Sequence, residues 1–119
     1  MTKILLAEDD DSLRSFLTAA LKRAGHEVQA FEDGDKALNA LEREVFDLLL
    51  TDIQMPGIDG IELARRGAEL DPAMKIVFIT GFAAVALSNK SNTPAGAKIL
   101  SKPFHLRELV DEVERVMAA

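Results

Sequence analysis

Short apolar runs alternate along the chain with segments whose apolar residues recur at helical spacing. Five runs have the length and composition of strands, and they cover residues 3–7, 27–31, 46–52, 75–80 and 97–101. The third run is apolar at successive positions, which is typical of a strand covered on both faces in a parallel sheet. Because strand and helix alternate with short connections, the pattern predicts an α/β fold, a doubly wound three-layer sandwich around a parallel five-stranded sheet.

The segment between the fourth and fifth predicted strands is the least regular part of the pattern. Residues 81–87 are apolar without a complete helical stripe, and residues 88–96 are rich in turn-forming residues. We therefore expect the fourth helix to be short, frayed or displaced, and the 82–95 segment to be the most mobile part of the chain. In the first helix, Asp11 or Ser12 is predicted to cap the start, and Phe16 is predicted to lie on the apolar face.

Polar side chains stand at the ends of four predicted strands. Glu8 and Asp9 follow the first strand, Asp52 ends the third, Thr80 ends the fourth, and Lys102 follows the fifth. The carboxyl ends of parallel strands share one edge of a sheet, and the ligand crevices of doubly wound folds lie beyond that edge. We therefore expect these side chains to form one site.

The charges of this predicted site indicate its chemistry. Converging carboxylates repel one another and, when ionised together, need a cation, and their oxygen atoms favour Mg²⁺ or Mn²⁺. A metal beside a strand-end carboxylate suggests phosphoryl transfer, with Asp52 as the nucleophile that forms an acyl phosphate and with Thr80 and Lys102 as donors to phosphoryl oxygens. Each residue alone also has a simpler interpretation: Asp52 ties a turn, Thr80 is a β-branched strand residue, and Lys102 is a surface lysine.

Composition narrows the function classes. With 119 residues the chain is predicted to be one domain, residues 1–119, with no output domain. The net charge of −6 and the isoelectric point near 4.9 argue against a nucleic-acid or anionic-membrane surface. The absence of Cys removes a thiolate metal site, and His26 and His105 are poorly placed as zinc ligands. With no apolar stretch near 18 residues, a cytoplasmic protein is expected.

Four motifs, in order and at the ends of the right strands, carry a resemblance that covers the whole chain. They are LAEDD at 6–10, TDIQMPGIDG at 51–60, ITG at 79–81 and SKPF at 101–104. Together they resemble the receiver domain of response regulators, the CheY-like domain of two-component signalling. The resemblance implies a flavodoxin-like (βα)5 fold with strand order 2-1-3-4-5.

The resemblance also implies roles for the site residues. Asp52 is the implied phosphoacceptor, Thr80 and Lys102 the implied phosphoryl-binding residues, and the Lys102-Pro103 bond is implied to be cis. The implied cofactor is Mg²⁺, held by Asp9, by Asp52, by the backbone carbonyl of Gln54, and by Glu8 through water. The implied phosphodonor is a phosphohistidine on a histidine kinase or histidine phosphotransferase, and the protein is expected to be no enzyme beyond its own phosphorylation and dephosphorylation.

Within the family, ITGFAAVAL at 79–87 and KILSKPF at 98–104 resemble the CpdR-type single-domain receivers of alphaproteobacteria. That resemblance implies a protein that acts, unphosphorylated, as an adaptor for proteolysis by the ClpXP protease. The chain is expected to be a monomer. A partner surface is expected around Phe82, Val85, Leu87, Ile99 and Leu106. Two alternatives remain: a phosphorelay shuttle or phosphate sink without adaptor output, and an aspartyl-phosphate phosphatase of the haloacid-dehalogenase type, whose second acid is replaced here by Gln54.

Overall fold

A computed structural model describes residues 2–81 and 96–118, and within them the sheet is the predicted one. The elements are β1 (Lys3–Ala7), α1 (Asp11–Arg23), β2 (Glu27–Phe31), α2 (Gly34–Arg43), β3 (Leu48–Asp52), α3 (Gly60–Leu70), β4 (Lys75–Thr80), β5 (Lys98–Ser101) and α4 (Leu106–Ala118). All neighbouring strands are parallel and lie in the order 2-1-3-4-5, which confirms the predicted doubly wound topology. The helix expected between β4 and β5, and the mobility expected of residues 82–95, lie outside the described residues.

The core consists of two apolar layers, one on each face of the sheet. The helices α2 and α3 cover one face, on which Leu49 is buried, and α1 and α4 cover the other, on which Leu48 and Leu50 are buried. All five residues of β3 are buried because this central strand has neighbours on both sides and helices above and below.

The apolar face of α1 is narrower in the structure than the sequence predicts. The buried residues of this helix are Leu17, Ala20 and Leu21, whereas Phe16 is 56% exposed. The prediction that Phe16 lies on the apolar face is therefore wrong, because the stripe that packs against the sheet passes through Leu17 and Leu21 and not through Phe16. Phe16 lies about 100° around the helix from Leu17.

Three of the helices begin with the same kind of cap. The side chains of Asp10, Asp33 and Asp59 each accept a hydrogen bond of 2.8 Å from the backbone N–H three residues further on. The prediction that Asp11 or Ser12 caps α1 is wrong, because Asp10 still has extended backbone and Asp11 already belongs to the first turn.

Within the described part of the chain, no helix has the length and apolar character needed to cross a bilayer.

The loop that follows β3, residues 53–59, is held between the first residues of two helices. The backbone N–H of Gly60 donates to the carbonyl of Ile53 at 2.8 Å, and a Cβ at Gly60 would lie 1.9 Å from the carbonyl oxygen of Asp52. A Cβ at Gly34 would lie 2.1 Å from the carbonyl oxygen of Ile58. Both glycines are therefore required by close backbone approach, and together they fix the loop that leaves Asp52.

We expect Gly60→Ala to lower the free energy of unfolding by roughly 3 kcal/mol, since the new methyl group has to displace the backbone next to Asp52. The matched control is Gly67→Ala in the same helix. There the nearest atom to the new Cβ, at 2.8 Å, is the terminal methyl of Met74, which can move, and the gain in helix propensity of about 1 kcal/mol offsets part of the cost. Urea denaturation measures both values, and equal costs for the two variants would contradict this account.

Candidate functional site

Parallel pairing brings the predicted site residues to one edge of the sheet. In the register, Ala7 of β1 is opposite Thr51 of β3, so Glu8 and Asp52 follow at the same level. Asp52 is in turn opposite Ile79 of β4, so Thr80 is one position beyond it. Lys102 comes directly after β5, whose last residue is opposite Thr80. The convergence predicted from the strand ends is therefore observed.

The side chain of Lys102 joins the two buried carboxylates of this edge. Its Nζ lies 2.9 Å from Oδ2 of Asp52 and 3.2 Å from Oε1 of Glu8, and both acids are buried. The backbone holds the lysine in place, because its N–H donates to the carbonyl of Thr80 at 2.7 Å. The bond from Lys102 to Pro103 is cis, as predicted. The interpretation of Lys102 as an ordinary surface lysine is thereby wrong.

Hydrogen bonds on both sides fix the carboxylate of Asp52. Its Oδ1 accepts from the N–H of Ile53 at 2.7 Å, and its Oδ2 accepts from Lys102. The buried hydroxyl of Thr51 donates to the carbonyl of Asp52 at 2.8 Å, next to the close contact with Gly60. Backbone and side chain are thus both held, so that the carboxylate faces the same edge as Glu8.

Three carboxylates at this edge form a set of oxygen donors suited to a hard divalent cation. Glu8, Asp9 and Asp52 each present an oxygen atom, and these atoms lie within 4.8 Å of one another. Glu8 and Asp52 are buried while Asp9 is exposed, so the cluster opens to solvent on the side of Asp9. Oxygen ligands with one open side suit Mg²⁺, which keeps several waters when it binds protein carboxylates. The predicted donors therefore fit the predicted metal.

Two further predicted residues lie where the sequence placed them, and their roles stay predictions. Thr80 ends β4 and is completely buried. Gln54 lies two residues after Asp52 in the loop that follows β3, and its side chain is exposed. The haloacid-dehalogenase alternative requires a second acid at that position, which Gln54 occupies in this chain.

Burial and neighbouring charge shift the acid–base behaviour of the site. Burial is the main effect that raises the pKa of Glu8, and the negative charge of Asp52 acts in the same direction, while the Asp10 N–H and Lys102 act to lower it; the resulting pKa is about 7. For Lys102, burial acts to lower the pKa, but hydrogen bonds and charges from Asp52 and Glu8 outweigh it, so that the pKa is raised. The ammonium is therefore always charged at neutral pH, while Glu8 is close to its midpoint.

Arg14 contacts the site from α1, although no motif in the sequence indicates this role. Its guanidinium donates to the backbone carbonyl of Glu8 at 2.9 Å and to Oδ1 of Asp11 at 2.5 Å. The spacing of three residues between Asp11 and Arg14 predicts the ion pair. Nothing in the sequence predicts the contact with the carbonyl of Glu8, because this contact depends on the angle at which α1 leaves β1.

Comparison with known proteins identifies relatives of the whole chain. Residues 4–114 match the family model of the response regulator receiver domain. The response regulator receiver protein CpdR of Brucella abortus is 59% identical over 119 residues, which are 100% of this chain and 99% of that protein. The response regulator protein FleR of Pseudomonas aeruginosa is 37% identical over 95% of this chain, which spans 24% of that protein's length. A response regulator receiver protein from Sinorhizobium medicae has a crystal structure with TM-score 0.91 and 37% identity, over 99% of this chain and 95% of that one.

The raised pKa of Glu8 predicts that the metal-free protein loses stability as the pH rises through neutrality. Because the folded-state pKa of about 7 exceeds the ordinary value of 4.5, this carboxyl stabilises the fold fully below pH 4.5, and the contribution disappears as pH rises through 7. Relative to Glu8→Gln, the wild type should therefore lose up to roughly 3 kcal/mol between pH 4.5 and 8. Urea denaturation in a chelator at several pH values measures the difference.

The matched control for this measurement is Glu62→Gln on α3. Hydrogen bonds from Arg65 and Arg66 lower the pKa of Glu62 to about 2, so this exposed carboxyl is ionised in the folded and unfolded states throughout the range from pH 6 to 8. Its replacement should leave the pH dependence of unfolding in that range unchanged. If the unfolding free energies of the wild type and of Glu8→Gln change with pH in the same way, the pH dependence does not come from Glu8 and the assignment is contradicted.

Proposed function

This chain belongs to the response regulator receiver domain family, and on that premise we propose that it accepts a phosphoryl group on Asp52 from a phosphohistidine of a partner protein. The observation that carries the proposal is the pair of contacts from one ammonium, that of Lys102, to the buried carboxylates of Asp52 and Glu8, at 2.9 and 3.2 Å. A lysine between two buried acids places a positive charge beside the carboxylate of Asp52 that would attack phosphorus. The partner is a histidine kinase or a histidine phosphotransferase.

In the proposed step, an oxygen of Asp52 attacks phosphorus. A P–O bond forms while the P–N bond to the donor's imidazole breaks, and the imidazole leaves with the electron pair of that bond. The contacts of Asp52 with Ile53 and of its backbone with Thr51 orient the attacking carboxylate. Lys102 and the hydroxyl of Thr80 then donate hydrogen bonds to phosphoryl oxygens, and these fixed donors stabilise the negative charge on the phosphoryl group.

The proposed cofactor is Mg²⁺. Asp9 and Asp52 would bind it directly, Glu8 would bind it through water, and the backbone carbonyl of Gln54 would be a further ligand. The fit rests on the three carboxylate oxygens within 4.8 Å of one another. When bound, the ion supplies positive charge against these carboxylates and against the phosphoryl group. Apart from its own phosphorylation and dephosphorylation, the chain is proposed to catalyse no reaction.

We expect the wild type to bind beryllofluoride, a phosphoryl mimic, only when Mg²⁺ is present, and Asp52→Ala to lose this binding by at least about 100-fold, because the mimic needs the carboxylate oxygen. The matched control is Asp111→Asn on α4, whose carboxylate is exposed and has its ion pair with Arg107 at a distance of 3.9 Å. Isothermal titration calorimetry measures all three proteins. If the wild type binds neither Mg²⁺ nor the mimic, the carboxylates are a degenerate site on a receiver fold.

The proposed output is a protein–protein interaction and not an attached effector domain. We propose a single receiver domain, residues 1–119, that acts in the cytoplasm as a monomer and, unphosphorylated, as an adaptor for the ClpXP protease. The support is the 59% identity with CpdR over the full length of both chains. Of the proposed contact residues, Ile99 is 38% exposed and Leu106 is partly buried, while Phe82, Val85 and Leu87 lie outside the described residues.

A pull-down with two baits tests this output. The unphosphorylated protein should bind the N-terminal domain of the unfoldase ClpX, and Mg²⁺ with beryllofluoride should weaken that binding at least about fivefold, because the mimic shifts the population of the binding state. Ile99→Asp should weaken binding in both states, and Val45→Asp, at a residue that is 73% exposed between α2 and β3, is the control. Binding to a histidine phosphotransferase alone would instead favour the phosphorelay shuttle.

A further inference from the structure

We propose that Arg14 is a positioning residue for the metal site, and that it holds the turn from which Glu8 and Asp9 project. Its guanidinium contacts the backbone and not the acidic side chains of the site: Nη1 lies 2.9 Å from the carbonyl oxygen of Glu8. Its Nη2 lies 2.5 Å from Oδ1 of Asp11, which anchors the same guanidinium to the first turn of α1. This inference rests on the proposed function, since it concerns the same cation site.

In the turn between β1 and α1, the N–H and the carboxylate of Glu8 have hydrogen bonds of their own, whereas its carbonyl is held by Arg14. The N–H of Glu8 donates to the carbonyl of Phe31 on β2 at 3.0 Å, which continues the ladder of the sheet. Its carboxylate accepts from the N–H of Asp10 at 3.1 Å and from Lys102. The carbonyl oxygen accepts from Arg14, so the guanidinium fixes the peptide plane that joins Glu8 to Asp9. A tilt of this plane would move both carboxylates.

The helix holds Arg14 itself firmly. Its backbone N–H donates to the carbonyl of Asp10 at 2.8 Å, and its own carbonyl accepts from the hydroxyl of Thr18 at 2.7 Å. The side chain is only 19% exposed, compared with 86% for that of Asp11. A planar fork that spans two acceptors is a property of arginine, and lysine offers a single ammonium in its place. The contact therefore depends on shape as well as on charge.

Charge alone and positioning predict opposite effects of removing Arg14. A positive charge near a cation site weakens cation binding, so loss of the charge by itself should tighten it. Loss of a group that orients the metal ligands should instead weaken cation binding. In other metalloproteins, removal of a residue that supports a metal ligand lowers the metal affinity about 10- to 100-fold. The sign of the change separates the two explanations.

We therefore expect Arg14→Gln and Arg14→Lys each to weaken Mn²⁺ binding about tenfold relative to the wild type, as measured by electron paramagnetic resonance of free Mn²⁺ with Mg²⁺ as competitor. The matched control is Arg23→Gln, which removes the same charge from an exposed position of α1 about 13 Å along the helix. It should leave the affinity unchanged or slightly higher. In chelator, the amide of Asp10 should exchange faster in both Arg14 variants, because its bond to Glu8 is weakened.

The outcomes distinguish this inference from the proposed function. If the wild type binds Mn²⁺ and beryllofluoride but Arg14→Gln binds Mn²⁺ equally well or more tightly, the positioning role is overturned and the proposed function stands. If the wild type binds no Mn²⁺, both are overturned. Arg14→Lys keeps the charge and a good helix former, and it decides the question if Arg14→Gln is too unstable to titrate: wild-type affinity in that variant would overturn the role.

Discussion

The structure depends on one electrostatic constraint, the convergence of acidic side chains at the carboxyl edge of a parallel sheet. Glu8 and Asp52 are both buried at this edge, and two like charges in a poorly solvated place repel each other strongly. The ammonium of Lys102 contacts both, and the raised pKa of Glu8 shows that even this cation does not compensate fully for burial. The site therefore retains a demand for further positive charge, which a divalent cation can meet.

The packing of the sheet and of the backbone around it explains how the buried acids and Lys102 are held close together. Asp52 ends the central strand, which is buried along its whole length, and the loop beyond it is confined by glycines that permit close backbone approach. Lys102 is attached to the backbone of Thr80. The acids and the lysine are thus fixed by sheet packing and backbone hydrogen bonds, which do not depend on the charges. Removing one partner would leave the others in place with their charges uncompensated.

Most of this could be predicted from the sequence, because the relevant signals are local or follow from topology. The apolar run that ends at Asp52 predicts a central strand, and parallel topology then places Glu8, Thr80 and Lys102 beside it without any knowledge of distances. The sequence places the cap of α1 one or two positions too late, because Asp10, Asp11 and Ser12 are all good capping residues and only backbone angles distinguish them. The exposure of Phe16 does not follow from the sequence, since periodicity fixes the centre of an apolar stripe better than its width.

The contact between Arg14 and Glu8 could not be predicted, because it joins a side chain to a backbone carbonyl across a turn, and no residue pattern encodes that geometry. The two side-chain donors to Glu8 also differ in kind. Lys102 contacts its carboxylate and so interacts with its charge, whereas Arg14 contacts its backbone and so constrains its position. A phosphoryl group on Asp52 would compete for Lys102 by charge but offers nothing in place of the carbonyl contact of Arg14. If Asp52 is phosphorylated as proposed, the ammonium of Lys102 is expected to move toward the phosphoryl group while the turn that carries Glu8 and Asp9 stays in place.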